Sequence, residues 1–492
     1  MLNNLKKAVS NSFIYSIGNL STKIVGIILI PIYTQKLTTA DYGMLGVLEI
    51  TSELLIALFS LSIYQSFLRL YWDKDFRDRQ EEMFFTSLFV VIIIAILMFL
   101  GFYPFISRLS LLLLDNQDYG FLIKLMLLTV GLKIIVRIPS TLLRTQEKSV
   151  LYTIANISRL LVTLFATIYF IIYLNHKVEA IFEAQIIGQI FYLLFLLPFI
   201  TRNIRLKFNL NILKSMLEYG FPLIFSSISG VLLTLGDRYC LRFMTNFSDV
   251  GIYNLGYKVA NIIKVFFISS VQLALPPMVF QMIDQPNCKR FYSKIMTYTA
   301  LALSIIILAI SILGKEAIKF VVSNKAYWEA YKVVPLLSFS MLFLMLMYTA
   351  TTGLTIMKRT KILAKLVVMM SVLNIALNIL FIPFLNIIGA SLATLISRIL
   401  HFSIVYYYAQ KIYRIPYELK KIITMILTGL GLFLLSLFVN DFSLIPRLAV
   451  KFILILSFPL VLYFLNFYEP IELLRLKQSW QKWSNPRKWK KK

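Results

Sequence analysis

Apolar blocks long enough to cross a lipid bilayer recur along the chain from Phe13 to Asn466, separated only by short polar breaks. A helix needs roughly 20 apolar residues, or ~30 Å, to span the hydrocarbon core. Inside lipid every backbone N–H and C=O must be satisfied within the structure, which leaves helices or a closed barrel. Barrel strands would alternate apolar and polar side chains over about ten residues, whereas Leu88 to Leu100 is apolar on every face. The expected fold class is therefore all-α, a polytopic membrane protein. Composition agrees: 59% of the 492 residues are hydrophobic and 15% charged, against about 45–50% and 25% in soluble domains.

The pattern predicts about fourteen spans, at 10–35, 43–69, 84–107, 119–142, 150–174, 178–200, 217–242, 250–279, 291–313, 331–356, 362–384, 387–410, 419–439 and 446–467. The first block, behind Lys6 and Lys7, has no Ala-x-Ala cleavage site and reads as a retained span. The polar stretch Thr201 to Ser215 is the clearest internal break. It divides an N-terminal lobe, 1–200, from a C-terminal lobe, 217–411, with a basic linker at 201–216, two further spans in 412–468 and a basic tail at 469–492. Self-similarity supports the division. Asp41-Tyr42-Gly43 returns as Asp249-Val250-Gly251, 208 positions on, Glu147-Lys148 corresponds to Lys358-Arg359, and Val178-Glu179-Ala180 to Ile388-Gly389-Ala390. Six spans per repeat is an even number, so both halves enter from the same side, related by an axis along the membrane normal with a cavity between them.

The net charge of +27 would suggest nucleic acid in a soluble protein, but its distribution points to topology. With the N-terminus in the cytoplasm, the cytoplasmic connections carry Arg144 and Lys148, Arg202, Arg205, Lys207 and Lys214, Lys289, Arg290 and Lys294, Lys358, Arg359, Lys361 and Lys365, and Lys411, Arg414, Lys420 and Lys421, whereas the external ones are nearly bare. That is the positive-inside pattern. The tail mixes Trp480, Trp483 and Trp489 with Arg487, Lys488 and Lys490 to Lys492, as expected of adhesion to anionic lipid rather than RNA. Cys240 and Cys288 fall on opposite sides of the membrane, so no disulfide is expected. His176 and His401 lie apart with no ligand cluster, so no metal site and no cofactor are expected. Gly314-Lys315 is the nearest fragment of a phosphate loop and Glu316 follows it, which excludes ATP hydrolysis.

The informative residues are cations at membrane depth: Lys23, Lys133, Arg137, Arg159, Arg238, Lys258, Lys264 and Arg398. Facing lipid, each would cost about 2.5–3.5 kcal/mol. They are candidates for lining a wet interior and binding substrate, with snorkelling to headgroups the competing role for Arg137, Arg238 and Lys133, and structural ion pairs for Lys23, Lys264 and Arg398. Acids at similar depth are Glu49, Glu53, Glu183 and Asp237, candidates for coupling to a proton or sodium ion or for neutralising the cations. Tyr15, Asn19 and Lys23 share one helix face, and Asn254, Lys258 and Asn261 another. A net positive cavity favours an anionic cargo such as a lipid pyrophosphate, since arginine binds phosphate bidentately and lysine as a point charge.

Leu37-Thr38-Thr39-Ala40-Asp41-Tyr42-Gly43, Asp237-Arg238, Val250-Gly251-Ile252-Tyr253 with Tyr257-Lys258-Val259-Ala260, and Gly389-Ala390-Ser391-Leu392-Ala393-Thr394 resemble the polysaccharide flippases of the multidrug/oligosaccharidyl-lipid/polysaccharide exporter superfamily. The resemblance implies a MATE-like pair of six-helix lobes plus two C-terminal helices. It implies a non-enzymatic, alternating-access flippase carrying an undecaprenyl-pyrophosphate-linked oligosaccharide to the outer leaflet of a bacterial cytoplasmic membrane, for O-antigen, capsule or exopolysaccharide synthesis. Expected partners are membrane lipids, a polysaccharide polymerase and a chain-length regulator. Lys23 and Lys258 match positions where such flippases place cavity cations, with Lys where Arg is common, and Asp41 matches the loop acid that caps the second span. Alternative readings are a multidrug or cation antiporter of the same superfamily, a lipid-linked peptidoglycan-precursor flippase, and a membrane polysaccharide polymerase.

Overall fold

The computed structural model describes residues 26 and 28–474. Among these all regular structure is helical. In chain order the α-helices are α1 (Ile30–Lys36), α2 (Thr39–Phe59), α3 (Ile63–Leu70), α4 (Gln80–Phe102), α5 (Ile106–Leu114), α6 (Gly120–Thr145), α7 (Ser149–Ile172), α8 (Glu179–Phe195), α9 (Leu197–Arg202) and α10 (Leu210–Leu235). Then come α11 (Asp237–Met244), α12 (Phe247–Ile263), α13 (Ser269–Met282), α14 (Cys288–Val321), α15 (Val334–Ala350), α16 (Thr352–Ile356), α17 (Thr360–Ile412), α18 (Leu419–Leu437) and α19 (Leu444–Phe464).

Each expected span from the second to the fourteenth coincides with one of these helices or with two in tandem. The first lies largely outside the described residues. Ten helical stretches among the described residues are long and apolar enough to cross a membrane. The 53 residues of α17 form two passes, because Asn386 leaves the helical region (φ 47°, ψ −127°) and reverses the chain, close to the break expected between 384 and 387. Asparagine tolerates positive φ where a β-branched residue would not. Gly389 lies so near the Phe381 carbonyl that a Cβ there would stand 2.4 Å from its oxygen. α12 continues into α13 through a π turn at Lys264–Ile268, and Pro276 and Pro277 sit within α13; an inserted residue and a lost N–H both bend a helix.

One apolar core cluster draws only on residues between Ile56 and Met216, and a second only on residues between Ile263 and Phe467. The largest combines residues from Leu29 to Ala390, and its centre is the packing of α2 against α12.

Candidate functional site

α2 and α12 start alike. Thr38 caps α2, accepting from the Asp41 backbone N–H at 3.1 Å while Asp41 Oδ2 accepts from the Thr38 N–H at 3.0 Å. Asn246 caps α12 by accepting from the Asp249 N–H at 2.9 Å, and its amide donates to Asp249 Oδ2 at 3.0 Å. Such reciprocal caps satisfy N–H groups that a helix start leaves orphaned. Two residues beyond each aspartate stands a glycine, and the two glycines meet. A Cβ on Gly43 would lie 1.9 Å from the Phe247 carbonyl oxygen, and one on Gly251 1.9 Å from that of Thr39. Ser248 Oγ donates to Thr39 Oγ1 at 2.6 Å across the junction. The Tyr327 hydroxyl, from the connection after α14, lies 3.0 Å from the Leu37 carbonyl and 2.8 Å from that of Thr38. The sequence landmark 208 positions apart is thus a contact, sealed because neither crossing position carries a side chain.

Directly along the same helices comes charge. Lys258 Nζ on α12 donates to Glu49 Oε1 on α2 at 3.1 Å and stands over the Tyr42 ring, 4.9 Å from its centroid. One turn further, Glu53 lies 4.0 Å from Arg137 on α6, whose guanidinium covers Tyr64. Lys133, one turn before Arg137, feels Glu53 and Glu49 electrostatically and has no carboxylate within 4 Å among the described residues. These side chains are partly exposed, and where α2, α6 and α12 meet three cations outnumber two carboxylates.

The remaining cations divide. Arg159 on α7 donates to Asn156 (2.8 Å) and Gln189 (3.3 Å) and lies over Tyr192. Lys264 opens the π turn. Arg398, on the second half of α17, is 8% exposed and has no carboxylate within 4 Å among the described residues; His401, one turn on, is buried with Nδ1 unpartnered. Lys23, and with it the Tyr15-Asn19-Lys23 face, lies outside the described residues.

Arg238 corrects an expectation. It neither snorkels nor opens onto the interior: it is 2% exposed. Its Nη1 lies 3.2 Å from Asp237 Oδ1, its Nε and Nη2 both donate to Asn254 Oδ1 at 3.1 Å, and its plane covers Tyr257. Asp237 also accepts from the Tyr253 hydroxyl and, at 3.5 Å, from Thr394. Tyrosines and amides complete the desolvated pair, as a buried charge requires. Glu183 is held by His176 Nδ1 at 2.8 Å, before α8. Asn254 leaves the polar stripe for the Arg238 cluster, while Lys258 keeps its place towards Glu49.

Sequence reasoning passed over Lys451, although it interrupts the apolar run of the last span. It is 2% exposed, with Nζ 2.9 and 3.0 Å from the Glu316 oxygens and 3.0 Å from Asn440 Oδ1. Arg242 was also missed; it is buried against Asp115 and the Leu113 carbonyl.

A family model described as "Polysaccharide biosynthesis protein" matches residues 8–283. An uncharacterized membrane protein of Methanocaldococcus jannaschii is 24% identical over 248 residues, covering 50% of this chain and 46% of that protein; the chain thus spans about half the length of this curated relative. Among solved structures, the lipid II flippase MurJ in an inward closed conformation superposes with a TM-score of 0.72 at 16% identity, over 92% of this chain and 99% of that one. An inward-facing multidrug resistance transporter of the MATE family, in the MOP superfamily, gives a TM-score of 0.64 at 12% identity over 81% and 94%. At these identities the likeness establishes the fold, which is MATE-like.

Proposed function

Because the chain belongs to the polysaccharide biosynthesis protein family, we propose that it is a flippase moving an undecaprenyl-pyrophosphate-linked oligosaccharide from the inner to the outer leaflet of a bacterial cytoplasmic membrane. The observation that carries this reading is the excess of cations around Glu49 and Glu53 beneath a sealed helix crossing. A pyrophosphate supplies the missing negative charge, while Lys133, Arg137 and Lys258 together exceed what two carboxylates neutralise. Arg398 adds a buried guanidinium with no carboxylate partner among the described residues.

In this reading residues 1–200 and 217–411 move as two lobes joined by the linker at 201–216, with 412–468 packed outside them, 469–492 as the basic tail, and both termini in the cytoplasm. The Gly43–Gly251 crossing is the closed gate at the external end. The arriving pyrophosphate competes with Glu49 for Lys258, loosening the tie that holds α2 to α12. The glycan stays in the polar interior and the polyprenyl chain in the bilayer. A negative cell interior favours the outward step by about 2.3 kcal/mol per net charge per 100 mV. Glu49 and Glu53 are the carboxylates placed to take up a coupling ion; Asp237 and Glu183 are already engaged by Arg238 and His176.

The test is flipping of a fluorescent undecaprenyl-pyrophosphate oligosaccharide in proteoliposomes. Intact protein should expose the label to an external reagent, and Lys258→Gln, Lys133→Gln and Arg398→Gln should each slow it at least tenfold at normal expression. Export of a cationic dye on a proton gradient, without flipping, would replace this reading with that of an antiporter.

A further inference from the structure

At the end of the bundle that carries the Gly43–Gly251 crossing, the turns closing α14 and the connection after it gather cations at one place. α14 is 34 residues long, about 51 Å at 1.5 Å per residue, well beyond the ~30 Å hydrocarbon core. It is long enough for its last turns to reach the headgroup layer. They carry Lys315 and Lys319, one turn apart on one face, where like charges repel. The 3₁₀ segment Lys325–Lys332 folds back beside them. Lys319 Nζ lies 4.7 Å and Lys325 Nζ 5.9 Å from the Trp328 ring centroid, and Lys315 Nζ 5.6 Å from that of Tyr331. The Trp328 indole N–H is spent on the Val322 carbonyl at 2.9 Å, fixing the ring.

Among the described residues no carboxylate answers these ammoniums. Glu316 is held by Lys451 and Arg447, and Glu329 by Lys332 at 2.8 Å. Among the described residues Lys315, Lys319 and Lys325 have no acidic partner within 4 Å. Ring faces contribute about 0.5–1 kcal/mol per exposed cation and leave the mutual repulsion in place. Beside them Phe320 is 92% exposed, and at the start of α19, tied to the same place through Glu316, Ile445 is 80% exposed. Apolar side chains flanking fixed aromatics and lysines form the pattern of a protein surface seated at a lipid interface.

We propose that Lys315, Lys319 and Lys325, held over Trp328 and Tyr331, form a headgroup site for an anionic phospholipid in the leaflet at this end of the bundle. The lipid phosphate bridges the lysines, and Phe320 and Ile445 meet its glycerol and upper acyl region. The assignment is independent of the transported cargo.

The test uses the full chain in lipid nanodiscs with Trp328 as sole tryptophan, selectively excited, after Trp72→Phe, Trp480→Phe, Trp483→Phe and Trp489→Phe. Dibrominated phosphatidylglycerol and dibrominated phosphatidylcholine are compared as quenchers at equal mole fraction. The expected result is a several-fold preference for phosphatidylglycerol. Lys315→Gln/Lys319→Gln/Lys325→Gln should abolish it, and the corresponding triple Arg variant should keep it. Equal quenching by both lipids, or a preference that survives in the Gln variant, overturns the proposal. Inorganic phosphate should weaken the preference no more than chloride at the same ionic strength; selective loss in phosphate assigns the site to a soluble anion and also overturns it.

Discussion

At Arg238 a side chain that looks in sequence like a cavity cation is committed to structure. Its guanidinium satisfies Asp237, Asn254 and Tyr257 at once, and removing one partner of a buried ion pair costs about 3–5 kcal/mol. Arg238→Leu should therefore lower the melting temperature and the yield of folded protein. Arg238→Lys should not restore them, because a single ammonium cannot reproduce the fork of Nε and Nη2 on Asn254; recovery with Lys would show that charge alone suffices. Lys258 and Glu49 are instead partly exposed and pair with each other across α2 and α12. In a double-mutant cycle on transport rate, Glu49→Gln and Lys258→Gln should be strongly non-additive, and simple additivity would sink the pairing. Which intramembrane cations stand free and which are paired was not legible in the sequence, because Asn254 and Lys258 share a face and differ only in what another helix brings to them.

At the scale of elements, the meeting of α2 and α12 depends on two absent side chains. Gly43→Ala or Gly251→Ala would drive a Cβ into a carbonyl, and overpacking of this kind costs about 1–3 kcal/mol. Since the strain falls on the sealed arrangement, each variant should raise the reactivity of Ser248→Cys toward a membrane-impermeant thiol reagent, in a background with Cys240→Ser and Cys288→Ser. Unchanged reactivity would mean that the crossing does not open. A Thr39→Cys/Ser248→Cys pair in that background should cross-link on oxidation, stop flipping and recover it on reduction. Continued flipping by fully cross-linked protein would refute the gate. The repeat was readable as a spacing, an Asp with a Gly two residues beyond it, returning 208 positions on; the caps at Thr38 and Asn246 were not. That the two copies face each other was not, because sequence offset carries no information about which surfaces meet.

Over the whole molecule, the C-terminal helices are fastened to the rest by charge at both ends. At one end Lys451 and Arg447 clasp Glu316. At the other, Lys294 on α14 gathers Glu418, Glu469 and Glu472 from either side of α18 and α19, with Lys421 sharing Glu418. Burial pushes the Glu418 carboxyl up, but hydrogen bonds from Thr297 and Lys294 more than offset it and hold it below its ordinary value. Glu472 is likewise lowered: hydrogen bonds from Tyr298, the Glu469 N–H and Lys294 outweigh its burial. Carboxylates held lower in the folded state add stability above their unfolded pKa of about 4.3, and lose it as pH falls through the folded value. Thermal stability in detergent should therefore decline on acidification below about pH 4.5. Lys294→Met should lower stability at pH 7 and flatten that decline; an unaltered acid limb would show that the clasp does not contribute.

The sequence by itself determined the solvent and the secondary structure. Apolar runs of bilayer length allow only helices, and their punctuation placed the breaks to within a few residues, as at Asn386. It also determined the excess of positive charge, since charge is a sum over residues. Tertiary structure alone decided what that charge does. Glu49 meets Lys258 across 209 positions and Glu53 meets Arg137 across 84, while Lys451 reaches back to Glu316. In hydrocarbon, a cation's cost is set by the partner that arrives beside it, and helix periodicity fixes a side chain's face but not the neighbour on that face.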